Sequence, residues 1–466
     1  MSKYILTILF ISISFATTAE AKKDKSKPNI LFIFADDLGY GDLGCYGHPY
    51  METPNIDHLA EEGTKFMRFY ATGVTCSPSR TGFMTSRHPA SYEKYMPFHD
   101  FAGRQTITEL LAKNGYFTGH VGKWHISGNK KPPNGTYGIQ DLRVIGDSRD
   151  KTVGKDDDVF DAAIDFVEKN QDKPFYLNVW GHISHYRVDP HEKFPEHFSN
   201  LTIDKNDFGV HYNEKIERSA GLVPDINTAV RNYLGEVWSL DLAVGRLLKR
   251  LDELGLKDNT IVVFSSDQGP APNKREVNAD HDSTLTANMM GSAGILRGGK
   301  HEQFEGGVRI PFIVRYPGKI LANKTNYNSI LSGLDWLPTL CEITNSPYDK
   351  TSIEGLDVSD VWFGSDRKPE RYLYWKTSSV KAAVSILHNN WKGHEERKSK
   401  TFKLYDLSES ELELEDVSQK YPQIVADLRS KADAWKSTLP DEYIKGVKKK
   451  KDKEEKEEKK KNKKKK

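Results

Sequence analysis

Apolar residues follow two rhythms along this chain, and the alternation between them predicts its architecture. Asn29-Ile30-Leu31-Phe32-Ile33-Phe34 is a nearly unbroken apolar run, the pattern of a strand buried on both faces. Tyr116 to Val121, Phe175 to Trp180 and Ile261 to Phe264 have the same character. Between these runs the spacing lengthens to helical periodicity. Thr53-Pro54 supplies a cap residue followed by proline, Ile56, Leu59 and Ala60 form an inner face, and Gly63 stops the element. Ile107, Leu110 and Leu111 mark a second helix, ended by Gly115. A longer one carries Leu234, Val237, Leu240, Val244, Leu247, Leu248 and Leu251 on one stripe, with Gly255 as its stop. Strands alternating with helices predict an α/β fold built on a large, mainly parallel sheet flanked by helices.

After about residue 345 the rhythm changes. Arg371 to Trp375, Lys381 to Leu387 and Thr401 to Leu407 read as short antiparallel strands, followed by a helix from Pro422 to about Trp435. The predicted organisation is a main domain over residues 22–345 and a smaller C-terminal α+β subdomain over 346–445.

The polar residues of interest come just after the predicted strands. Asp36 and Asp37 follow the first, Lys123 and His125 the second, His182 and His185 the third, and Asp267 and Gln268 the fourth. In open α/β sheets ligands bind outside the carboxyl ends of the strands, so four such ends predict one convergent site. Asp36-Asp37 alone could equally cap a helix. Together with Asp267 and Gln268 they offer three carboxylates and an amide oxygen, a hard donor set suited to calcium or magnesium rather than zinc.

The two ends change the picture in other ways. Lys3, an apolar run from Tyr4 to Ala16 and the small-x-small site Ala19-Glu20-Ala21 read as a signal peptide over residues 1–21. That run is shorter than the roughly 20 residues a membrane span needs, and no later stretch approaches it. The mature protein is expected to be exported, periplasmic or secreted. At the other end, residues 448–466 hold 13 lysines against five acids, a net of +8, which leaves the rest of the chain at −6 against the total of +2. Residues 446–466 therefore read as a disordered lysine-rich tail, solvated or tethering to an anionic polymer. Nucleic acid is a poor partner for an exported protein with an acidic body. Only three cysteines are present, and Cys45 and Cys341 read as buried free thiols rather than a bridge.

The third cysteine carries the most information. Cys76-Ser77-Pro78-Ser79-Arg80, read as a loop before Thr81 to Arg87, has the form Cys-x-Pro-Ser-Arg. With Asp36-Asp37-Leu38-Gly39-Tyr40-Gly41-Asp42, Gly122-Lys123-Trp124-His125, and Lys300 ahead of Glu305-Gly306-Gly307-Val308-Arg309-Ile310-Pro311, the chain resembles the type I sulfatases, on the arylsulfatase and N-acetylgalactosamine-6-sulfatase branch. The resemblance implies an alkaline-phosphatase-like fold and a maturation enzyme that oxidises Cys76 to formylglycine (3-oxoalanine). It implies one Ca²⁺ held by Asp36, Asp37, Asp267, Gln268 and an oxygen of the modified Cys76. Arg80 would hold the hydrated aldehyde, Lys123 the sulfate and His125 the diol. His185 with Lys300 would protonate the departing alcohol. Three details depart from the family pattern: Gln268 where asparagine or histidine is usual, Ser184 where proline precedes the histidine, and Thr85-Ser86-Arg87 where the tag commonly ends Thr-Gly-Arg.

Tyr95 to Asp100, Arg187 to His191 and Pro270 to Asn288 are expected to meet the substrate, with His99, Arg187 and His281 as subsite candidates. Their mixture of cations and acids suits a polar, anionic saccharide, such as ulvan, carrageenan or glycosaminoglycan fragments. A phosphate or phosphonate monoester hydrolase of the same fold, or a non-catalytic protein that binds sulfated glycans, remains an alternative reading at this point.

Overall fold

The computed structural model describes residues 27–93, 100–126, 132–148, 150, 152–223, 225–273, 283–377, 382–396, 398–399, 401–441 and 443. The signal segment, the lysine-rich tail, His99 and His281 lie outside the described residues.

The strands in chain order are β1 (Asn29–Ala35), β2 (Thr64–Phe66), β3 (Phe69–Tyr70), β4 (Phe117–Gly122), β5 (Asp141–Val144), β6 (Phe175–Trp180) and β7 (Thr260–Ser266). They are followed by β8 (Phe312–Arg315), β9 (Lys324–Asn326), β10 (Leu331–Ser332), β11 (Tyr372–Lys376), β12 (Val384–His388), β13 (Trp391–Glu395) and β14 (Phe402–Asp406). The main sheet has eight strands in the order β5-β4-β6-β1-β7-β8-β2-β9. From β5 to β7 every pairing is parallel, while β8 runs against both its neighbours. The alkaline-phosphatase-like α/β architecture expected from the sequence is therefore the one found.

The continuous apolar character of β1 has a direct cause. Ile30, Phe32 and Phe34 enter one core with Phe83 and Trp336, while Leu31, Ile33 and Ala35 enter a second on the opposite face. That second core is closed by a helix layer. The helices up to it are α1 (Pro54–Glu61), α2 (Cys76–Thr85), α3 (Ile107–Lys113), α4 (Asp157–Lys169), α5 (Lys193–Glu196), α6 (Val210–Ala220) and α7 (Ile226–Glu253). The stripe Leu234, Val237, Leu240, Val244, Leu247 and Leu251 of α7 packs there, as its spacing predicts. Cys45 packs against this core and Cys341 belongs to the other, so the two free thiols lie on opposite faces of the sheet.

Two local expectations need correction. Thr53 does not cap α1 with its hydroxyl, which donates instead to Asp57 Oδ1 at 2.9 Å. The exposed amides of α1 are met by Asp241 of α7, whose Oδ1 accepts from Asn55 at 3.1 Å and Ile56 at 2.8 Å. A buried carboxylate from another helix thus supplies the cap. The second correction is Cys76-Ser77-Pro78-Ser79-Arg80, which is the first half of α2 rather than a loop.

The C-terminal strands β11 to β14 form an antiparallel sheet covered by the helix Pro422–Ser437. Its junction with the main domain contains the fully buried pair Lys392–Glu305 at 2.8 Å, with the Lys392 ammonium 4.0 Å from the Trp375 ring centre. Among the described residues no helix is long and apolar enough to cross a membrane.

Candidate active site

Adjacent parallel strands β4, β6, β1 and β7 end side by side, and each end delivers polar groups to one place. Asp36 and Asp37 come from β1, with Asp37 in the left-handed backbone region at φ 61°. Lys123 comes from β4, directly after Gly122. A Cβ on Gly122 would lie 2.1 Å from the Trp180 carbonyl oxygen, so only glycine lets the chain turn Lys123 in. Asp267 and Gln268 leave β7, and the backbone amide of Asp37 donates to Asp267 Oδ1 at 3.1 Å.

Cys76 enters from the side as the first residue of α2. Arg80, four residues on, lies on the same helix face, which gives the spacing of the motif its physical meaning. Pro78 is tolerated because its missing amide falls within the first turn. Cys76 Sγ lies 3.2 Å from Asp36 Oδ1 and 3.7 Å from Asp37 Oδ1. Arg80 donates twice to Asp267 Oδ2, at 3.0 and 2.8 Å, and its guanidinium packs against the rings of Phe34 and Trp180. Lys123 is paired with Asp36, and Lys300 Nζ is 2.8 Å from Asp37 Oδ2.

Three buried carboxylates therefore face Arg80, Lys123 and Lys300, and the charges cancel. Ligand atoms of Asp36, Asp37, Asp267 and Cys76 all lie within 4.8 Å of one another. Burial, reinforced by the Asp36 charge, pushes Asp267 up to about 7. Burial would also raise Asp36, but Lys123, His185, Arg80 and Lys300 hold it well below the usual carboxylate range. Burial and then Asp36 push the Cys76 thiol far above its ordinary value, so it stays protonated. A thiol held protonated is a weak nucleophile.

The donor set fits a hard divalent cation. Gln268 turns its amide nitrogen to Asp37, the reverse of the oxygen contact expected from sequence, and leaves Oε1 buried without a hydrogen bond. That spare oxygen beside three crowded carboxylates is the arrangement an oxygen-loving ion satisfies.

His185 belongs to the same cluster: its Nδ1 meets the Tyr186 carbonyl at 2.9 Å and its Nε2 is 3.8 Å from Asp37 Oδ2. Burial lowers its pKa. His125, at φ 54° after Lys123, is lowered to about 3 by burial and by the Lys123 charge. His182 is not in the cluster, since its Nε2 reaches the Ile145 carbonyl at 2.9 Å. Arg187 also stands apart, lining a separate cavity with Asp147, Asp189 and Glu236.

Sequence reasoning missed the groups that hold the His185 loop. Asp156 accepts from the amides of His182 at 2.8 Å and Ile183 at 3.0 Å, and Lys155 donates to the His185 carbonyl at 3.0 Å while pairing with buried Glu236. Ser184 Oγ is 2.8 Å from the Tyr233 hydroxyl and 3.2 Å from the Asp37 carbonyl, and Tyr233 donates to Asp42 Oδ2 at 2.6 Å. Asp156 opens the run Asp156-Asp157-Asp158 that leads into α4. Nothing local showed that the first of them faces another strand end.

The family model described as Sulfatase matches residues 28–346, which spans every group just placed. The chain belongs to the sulfatase family. It is 29% identical over 425 residues to arylsulfatase A of Homo sapiens, covering 79% of this chain and 74% of that one. The N-acetylgalactosamine-6-O-sulfatase of Bacteroides thetaiotaomicron is 26% identical over 511 residues, covering 87% of this chain and 92% of the relative. Among solved structures, Ps i-CgsB in complex with k-i-k-neocarrahexaose superposes with a TM-score of 0.72 at 23% identity, covering 90% of this chain and 95% of that one. This likeness carries the fold. Sulfatases are sulfuric ester hydrolases, and the matched region of this sulfatase contains the clustered lysines, arginine and buried carboxylates described above.

Proposed function

We propose that this sulfatase hydrolyses sulfate esters on an anionic carbohydrate, with formylglycine derived from Cys76 as nucleophile and calcium held by Asp36, Asp37, Asp267 and Gln268. The observation that carries the reading is Cys76 at the head of α2, beside three buried carboxylates and flanked by Lys123 and Lys300. A hydrated aldehyde at position 76 supplies an oxygen nucleophile, and a divalent cation supplies two positive charges to a cradle whose own charges cancel.

The remaining work belongs to side chains already in place. Lys123 and Lys300 hold the sulfuryl oxygens and offset the charge that grows on them. Arg80, fixed by Asp267, orients the group at position 76 towards the carboxylates. His185 gives its Nδ1 proton to the Tyr186 carbonyl, so only as the imidazolium, with Nε2 facing Asp37, does it carry a second proton to donate to the leaving alcohol oxygen. His125, kept neutral by burial, accepts a proton from the group at position 76 when sulfate departs. A carbohydrate substrate is supported by the relatives, an N-acetylgalactosamine-6-O-sulfatase and an ulvan-active sulfatase among them. The signal-peptide pattern of residues 1–21 supports export to the periplasm or beyond.

The test is sulfate release by protein co-produced with a formylglycine-generating enzyme, offered ulvan, carrageenan and glycosaminoglycan oligosaccharides and a phosphate ester. Release from a glycan that Cys76→Ser abolishes is the expected result. Phosphate release alone, or no release with Cys76 shown by mass to be converted, overturns the reading.

A further inference from the structure

Beside the cradle lies a cleft of about 680 Å³ that the chemistry above does not use. That volume falls in the roughly 300–1,000 Å³ range of clefts that hold organic ligands. Lys300, whose ammonium meets Asp37, is in its wall, so the cleft adjoins the reacting centre. His301 follows, its amide donating to the Val74 carbonyl two residues ahead of Cys76. His301 is exposed and holds φ 76°, a conformation uncommon for any residue but glycine. Such strain concentrates where a side chain is presented to a ligand.

The walls come from two separate parts of the fold. Arg218 of α6 leaves 45% of its side chain exposed; among the described residues it is 3.8 Å from the Glu214 carboxylate, and its Nε donates to Asn273 Oδ1 at 3.4 Å. Lys403 of β14 belongs to the C-terminal sheet and leaves 39% exposed, paired with Glu396 at 2.7 Å. An exposed pair of this kind is weak, so an anionic ligand can compete for the lysine. The framework behind them is rigid: buried Lys215 donates to the carbonyls of Ala271 at 2.8 Å and Gly291 at 2.6 Å, tying both loops to α6. Burial lowers Lys215 to about 7 and Lys300 is paired with Asp37, so among the described residues Arg218, Arg297 and Lys403 are the remaining cations of the cleft, facing Glu214, Glu302 and Asp416. Placed on separate walls, these guanidinium and ammonium groups give an anion charge-assisted hydrogen bonds.

We propose that this cleft is a second anion-accepting subsite, holding a sulfated or carboxylated sugar unit that flanks the ester being cleaved, with Arg218 and Lys403 as its grip from the two domains. The proposal rests on the carbohydrate reading above. It makes the enzyme an oligosaccharide sulfatase that reads at least one charge beyond the scissile one, and it gives the C-terminal sheet a part in substrate selection.

Binding to the full chain carrying Cys76→Ser tests this without any need for maturation. Chondroitin 6-sulfate and ι-carrageenan tetrasaccharides are titrated calorimetrically against N-acetylgalactosamine 6-sulfate. The expected result is at least tenfold tighter binding of one tetrasaccharide, with most of that advantage lost on adding Arg218→Gln or Lys403→Gln. Both positions are exposed, and an unchanged Tm shows that the variants fold. Equal affinity for long and short ligands, or an advantage that survives both substitutions, overturns the proposal. Length-dependent binding by a protein that releases no sulfate once matured sinks the catalytic reading and leaves the subsite standing. Turnover without length dependence does the reverse.

Discussion

In chain that has kept its cysteine, Cys76 should resist alkylation until the protein unfolds. It is 3% exposed, and every residue of α2 from Cys76 to Thr85 is buried. Its thiol is held protonated by burial and by Asp36, so the reactive thiolate is suppressed as well as hidden. α2 packs through Phe83 and Met84 into the core shared with β1, so exposing Cys76 requires breaking that core. A domain stability of about 5–15 kcal/mol, at about 1.4 kcal/mol per factor of ten, slows labelling a thousandfold or more relative to the unfolded chain. The assay is iodoacetamide labelling along a urea series, read by peptide mass, with unfolding followed by circular dichroism. Cys76 should label in step with the unfolding transition, together with Cys341, which is 1% exposed. Half-buried Cys45 should label before either. Cys76 labelling in native buffer within tenfold of its rate in urea would refute the reasoning. Since Ser77, Pro78, Ser79 and Arg80 are buried too, the same burial predicts that a maturation enzyme converts unfolded chain and leaves folded protein untouched.

Other outcomes follow from the same geometry. Exhaustive chelation should lower Tm and abolish sulfate release, with calcium restoring both, because the crowded carboxylate oxygens and the spare Gln268 Oε1 lose the ion they share; a chelated protein with unchanged Tm and activity contradicts the metal assignment. Tyr233→Phe removes the hydroxyl that links Ser184 to Asp42, and should lower kcat several-fold with little change in KM, since it shifts the His185 loop rather than the sulfate contacts; a change confined to KM would count against it. Lys392→Met leaves buried Glu305 with only the Tyr70 hydroxyl and the more distant Arg309 and should cost about 3 kcal/mol in urea unfolding, whereas a Lys392→Met, Glu305→Leu double variant should recover much of it. Burial lowers His88 to about 4, so between pH 6.5 and 4 the unfolded chain binds a proton that the folded one refuses. Stability should fall through that window by up to about 3 kcal/mol from His88 alone, and Tm constant from pH 7 to 4.5 would disprove it.

What the sequence determined by itself is the family and the strand ends at which its polar groups gather. β1, β6 and α7 were legible because each buries a continuous run or a single stripe, and burial writes itself into residue type. Asp36, Asp37, Asp267, Lys123 and His185 were legible because each directly follows such a strand. The tertiary structure decided everything that depends on which distant groups meet. β13, Trp391 to Glu395, escaped notice because its inward Lys392 is charged, and only its partner Glu305, 87 residues away in the chain, makes that burial tolerable. Cys76 was read as a loop because Ser77, Pro78 and Ser79 are poor helix formers, yet packing of Phe83 and Met84 pays for the turn. Asp241 as the cap of α1, Asp156 beneath the His185 loop and the Ser184–Tyr233–Asp42 chain are hydrogen bonds between segments 26 to 191 residues apart. Local propensity carries no trace of such partners, because a carboxylate facing a far strand end looks in sequence like one facing water.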